Sequence, residues 1–93
     1  MTTLKQRIKD EMKAALLSGD RFVGDTLRNL GAAILDEEVK QGVRETGLDD
    51  AAVEQVIVRE VKKRRDAAAI YRTNGRPELA EPEEREMAVL QHY

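Results

Sequence analysis

The sequence predicts an all-α fold, a small bundle of about four helices. Hydrophobic residues fill 41% of the 93 positions but aromatic ones only 3%, so the interior is built from aliphatic side chains. Six Gly and two Pro are too few for the frequent turns of a β-sandwich or barrel. The apolar residues recur at intervals of three and four, the period of a helix with one buried face.

The elements follow in order. Thr3 and Gln6 have the form of a capping box, and Leu4, Ile8, Met12, Ala15 and Leu16 make the inner face of helix one, which Gly19 ends. Asp20 caps helix two, predicted from Asp20 to Gln41 on the stripe Val23, Leu27, Leu30 and Ile34. Gly42 to Gly47 reads as a loop. Asp49 then caps helix three, predicted to Thr73, with Leu48 and Val53 spaced as a hydrophobic staple. Its stripe is Val53, Val56, Ile57, Val61, Ala68 and Tyr71. Asn74-Gly75 is a stop, and Pro77 suits the first turn of helix four, where its missing N–H has no partner to lose. Leu79, Met87 and Leu90 supply its inner face, and Pro82 is expected to bend or delay it. The expected core comprises Leu27, Leu30, Ile34, Val53, Ile57, Val61 and Leu90. Gly24 and Gly31 lie seven residues apart within helix two, on one face, which suits close approach of another helix, with contact to a ligand as the lesser reading.

The length of 93 residues fits a single helical domain spanning 1–93. Without cysteine there is no disulfide framework, thiolate nucleophile or cysteine-rich zinc site, which reads as cytoplasmic. No apolar run approaches the length of a membrane span, and the N-terminus lacks the apolar region of a secretory signal. No metal, cofactor or catalytic residue is expected. His92 is the penultimate residue, and Ser18 lies beside the helix stop with no neighbouring base. The carboxylates form neither a Glu-x-x-His pair nor a calcium loop.

Charge is the uneven feature, concealed by a net value of −2. Residues 59–76 hold seven basic residues against two acidic ones, a net +5, and residues 77–93 hold one against five, a net −4. Lys62, Lys63, Arg65, Arg72 and Arg76 are the candidate RNA-binding residues. The spacing of Lys62, Arg65, Arg72 and Arg76 makes a strip along one helix face, with Lys63 beside it. Such a strip could position phosphates, weakly and electrostatically, without reading sequence. The structural reading is equally physical: Glu78 and Glu81 fold back beside Arg72 and Lys62 or Arg65 as solvated pairs, and Arg64 pairs with Glu60 four residues away.

The order of motifs resembles the YqeY-like family. In the first half the resemblance lies in Leu4-Lys5, Ile8, Met12 to Leu16, Gly19-Asp20, Thr26-Leu27-Arg28, Ala32-Ala33-Ile34 and Glu37-Glu38. In the second half it lies in Leu48-Asp49-Asp50, Glu60 to Asp66, Ile70-Tyr71, Asn74-Gly75-Arg76, Leu79-Ala80 and Glu84 to Glu86. The family is similar to the C-terminal tail of the GatB subunit of tRNA-dependent amidotransferase. The resemblance implies the N-terminal helical subdomain of the GatB/YqeY fold and a non-catalytic adaptor that contacts tRNA or a tRNA-processing partner. It also implies the family's label of carbon–nitrogen ligase with glutamine as amido donor, a reaction for which this chain has neither a glutaminase nucleophile nor an ATP site in evidence. The alternative is a protein-interaction or structural module with no RNA role. Two departures stand out. Gly24 and Gly31 replace larger residues, and the chain stops at Tyr93, where the family continues into a second helical subdomain. Leu90 and Tyr93 would then form an uncovered apolar end, with a weak homodimer or a frayed terminus expected there.

Overall fold

A computed structural model describes residues 2–93. Four helices follow one another: α1 (Leu4–Leu17), α2 (Arg21–Gln41), α3 (Asp50–Thr73) and α4 (Pro77–Gln91). There is no strand among the described residues. The chain divides into two compact units, one up to Val56 and one from Ile57 onward, with α3 contributing to both.

The helix ends obey the local chemistry expected of them. Thr3 accepts a hydrogen bond from the Gln6 N–H at 3.1 Å, Asp20 from the Val23 N–H at 3.2 Å, and Asp49 from the Ala52 N–H at 2.9 Å. Gly19, Gly42 and Gly75 close α1, α2 and α3 at φ of +87°, +70° and +70°, a left-handed conformation that a side chain would strain. Ser18 is a helix-end residue, its hydroxyl donating to the Ala15 carbonyl at 3.0 Å. Pro82 lies inside α4 and does not delay it, since the helix already begins at Pro77.

In the first unit α1 and α2 pack on each other through Ile8 on one side and Leu27, Leu30 and Ile34 on the other, all at most 2% exposed. The start of α3 is tied to α1 by Asp50, whose carboxylate accepts from the Leu4 N–H at 3.0 Å. All seven expected core residues are buried. In α4 one expectation fails: Leu79 is exposed, and Ala80 takes the buried position. With the helix starting at Pro77, the buried face runs through Ala80 and Leu90, and Leu79 is rotated off it by one position. Leu90, expected at an uncovered end, is fully buried, and Tyr93 is half-buried.

The paired glycines also part company. A Cβ at Gly24 would lie 2.7 Å from Leu16 Cγ and 3.4 Å from the Leu16 backbone nitrogen, so Gly24 does permit the approach of α1. A Cβ at Gly31 would meet nothing within 4 Å, and the expectation of helix packing there is corrected. Gly31→Ala is expected to stabilise the protein by about 0.5–1 kcal/mol, because glycine costs that much in a helix interior and nothing offsets it. For a domain of this size that is a rise of roughly 3–6 °C in Tm. Gly24→Ala, measured beside it, should show no such rise.

Candidate functional site

The five basic candidates lie on the C-terminal half of α3 and the turn after it, within the second unit. All are exposed. Lys62 Nζ sits 2.7 Å from Asp66, and Lys63 Nζ sits 3.1 Å from Glu60, each within one helical turn. The Lys62–Asp66 pair lies in water on both sides and is weak, whereas Lys63 is 74% exposed but its partner Glu60 only 13%. The Arg65 side chain makes no hydrogen bond or ion pair among the described residues. Arg72 is held by Glu84 through both carboxylate oxygens, at 2.8 and 2.5 Å. Arg76 stands 3.5 Å from Glu78. Glu84 is held below the usual carboxylate range by this hydrogen bond from Arg72, and the Arg72 guanidinium is raised by the same partner.

The pairing between α3 and α4 departs in part from the expected Glu78 and Glu81: Glu81 lies near enough to Arg72 to raise it through charge, but the hydrogen bonds go to another carboxylate. Arg72 takes Glu84, one turn further along the same face of α4 as Glu81, and Lys62 takes Asp66 from its own helix. The expected Arg64–Glu60 pair is present at 3.1 Å, and Arg64 also donates to Glu86 at 3.2 Å. Arg64 is only 11% exposed, so this is the secluded ionic cluster of the second unit. Burial alone would raise the Glu60 carboxyl, but hydrogen bonds from Lys63 and Arg64 bring it below its ordinary value. Glu83 has no such donor among the described residues. Burial, with Glu86 nearby, pushes it up.

The first unit contains a second constellation that the sequence reading did not single out. Glu38 is 1% exposed, and one of its oxygens accepts from Lys5 Nζ at 2.7 Å and from the Leu48 N–H at 3.0 Å. One carboxylate thus joins the start of α1, the end of α2 and the connection between α2 and α3. The hydrogen bond from Lys5 lowers the Glu38 pKa against the opposing effect of burial. Gly47, at φ +78°, lets the connection pass this carboxylate, since a Cβ there would lie 3.2 Å from Glu38 Oε2. Beside the Lys5–Glu38 pair a cleft of about 260 Å³ opens between α1 and α2. Ile8, Met12, Leu27, Gly31, Ile34 and Leu35 line it, and Lys5, Lys9 and Glu38 edge it. The signal for Glu38 was present in the sequence: Leu27, Leu30, Ile34 and Glu38 step by three, four and four, which puts a carboxylate in an inward register.

Among the described residues no three His, Cys, Asp or Glu side chains come together as metal ligands, and no helix is long and apolar enough to cross a membrane.

A family model described as Yqey-like protein matches residues 5–93. The chain belongs to the YqeY-like family. Curated relatives of this YqeY-like chain are named altered inheritance of mitochondria protein 41, mitochondrial. The one from Eremothecium gossypii is 31% identical over 92% of this chain and 46% of its own length. Those from Vanderwaltozyma polyspora and Kluyveromyces lactis are 28% and 27% identical over 92% of this chain and 45% of theirs. The YqeY-like chain thus spans a little under half the length of these relatives. Their names overturn the cytoplasmic expectation, for four relatives are named as mitochondrial. The absence of cysteine removes disulfide chemistry but does not choose between compartments that lack it.

Proposed function

We propose that this chain is a non-catalytic helical adaptor that contacts tRNA, in the manner implied by its likeness to the amidotransferase tail, through the exposed face of α3. One observation carries the reading: Lys62, Lys63 and Arg65 lie within one turn of α3, all exposed, with partners that are either absent or confined to the same helix. The exposed Lys62–Asp66 pair is worth about 0.3–0.5 kcal/mol, so a phosphate can take the place of Asp66 at little cost, while Glu60 stays with Arg64 when Lys63 turns to a phosphate. Arg72 and Arg76 are bound to α4 carboxylates and contribute less. Such contacts track a backbone and its shape rather than a base sequence. Any amidation chemistry belongs to other domains, which this chain would help to bring to the RNA.

The test is a titration of tRNA against the wild type and a Lys62→Glu, Arg65→Glu double variant. Three phosphate contacts predict a fall in affinity of roughly 20- to 40-fold between 50 and 200 mM salt, and the double variant should bind at least about tenfold more weakly at low salt. Equal affinity, or no binding by the wild type, would remove these residues as an RNA site. A protein partner would then be the better reading.

A further inference from the structure

The α1–α2 cleft uses none of the residues of the tRNA reading and stands independently of it. We infer that it is a docking groove for a helical segment of a partner protein that presents aliphatic side chains beside a carboxylate.

Size is the first argument. At about 260 Å³ the cleft falls below the roughly 300–1,000 Å³ of small-molecule sites, and it suits a few side chains rather than a whole cofactor. Its walls are aliphatic, and Leu35 on the wall is 42% exposed, an apolar surface left to water. A groove between two helices lined in this way takes the apolar face of a third.

Gly31 is the second argument. A glycine inside a helix is unfavourable, and nothing within the chain requires this one, because its Cβ would meet open space. It lines the cleft, so the absent side chain keeps open the place where an incoming segment approaches α2.

Charge selects the occupant. The Glu38 carboxylate already accepts from Lys5 and the Leu48 N–H. Lys9, one turn beyond Lys5 on α1, lies close enough to lower the Glu38 pKa but makes no hydrogen bond or ion pair of its own among the described residues. Two ammonium groups thus face one carboxylate, and the rim keeps one positive charge. An acidic residue flanking the aliphatic anchors satisfies it.

The experiment uses the full chain, labelled for amide NMR, and a blocked helical peptide of about 14 residues, roughly four turns, with leucines at i, i+3 and i+7 beside a glutamate. A control peptide carries lysine for that glutamate. Gly31→Leu fills the groove from a position where a Cβ meets nothing within 4 Å, and circular dichroism checks that the helices persist. The expected result is that the acidic peptide shifts the amides of Lys9, Gly31 and Leu35, that Gly31→Leu weakens it at least about tenfold, and that Lys9→Glu reverses the preference between the two peptides. Absence of binding up to about 1 mM, or equal binding by wild type and Gly31→Leu, would overturn the assignment. So would equal affinity for the two peptides. Tighter binding of dodecanoate at the same amides would overturn the partner class in favour of a small amphiphile. A wild-type dimer in sedimentation that Gly31→Leu abolishes would give the groove to a second copy of the chain instead.

Discussion

Ile57→Ala is expected to cost about 2–5 kcal/mol in urea or thermal unfolding, the range measured for truncating a buried branched side chain to its Cβ. Ile57 is 6% exposed and lies on the buried face of α3 with Val53, Val56 and Val61. The removed methyl and methylene groups lose their transfer energy, and the neighbours on either turn cannot close the gap without leaving their own rotamers. For 93 residues a total stability of roughly 5–14 kcal/mol is ordinary, so this one change removes a large share of it. Val58, the next residue, is 58% exposed and supplies the control: Val58→Ala should change stability by no more than about 0.5 kcal/mol. A loss below that figure for Ile57 would show that the inner face of α3 is assigned wrongly.

These two neighbours show why the fold was legible. On a helix the face follows from spacing alone, and α1, α2 and α3 each carry an aliphatic stripe long enough to fix its phase. Capping was equally local: Thr3, Asp20 and Asp49 all bond within three residues of their own position. In α4 the pattern is short and rich in Ala and Glu, so its phase rested on few residues, and Leu79 was placed one position away from the buried Ala80. Gly24 and Gly31 look alike in sequence because spacing cannot tell which glycine lies under another helix. The basic residues of α3 were visible as a charge imbalance, but their partners depend on how far along α4 each carboxylate falls, which is tertiary information. Arg72 accordingly hydrogen-bonds Glu84, and Glu81, nearer the turn, acts on it only through charge. Glu38 was overlooked for a different reason. A carboxylate at an inward register looks like a break in the stripe unless a donor is found for it, and that donor, Lys5, lies 33 residues earlier in the chain.

Glu38→Ala is the second large change expected, a loss of about 2–3 kcal/mol. The substitution leaves the half-buried Leu48 N–H without its acceptor and opens a void beside Ile34. Breaking a fully buried ion pair costs more, about 3–5 kcal/mol, but Lys5 is 37% exposed and its ammonium can turn to water. Glu38→Gln separates charge from shape: it keeps the volume and an acceptor for Leu48, so it should lose less, about 1–2 kcal/mol. The difference between wild type and the Gln variant carries a pH signature. Hydrogen bonding to Lys5 lowers the folded pKa of Glu38 below its unfolded value. At pH values above the unfolded carboxylate range the unfolded and folded chains are both ionised, and the full contribution is present. As pH falls below about 5 the unfolded chain takes up the proton first, and the contribution shrinks until the folded carboxylate is protonated too. Urea melts of both proteins at pH 7, 5 and 3.5 should therefore converge on acidification. A constant gap would mean that folding does not lower the Glu38 pKa, and that Lys5 gives the ionised carboxylate no more than burial takes from it.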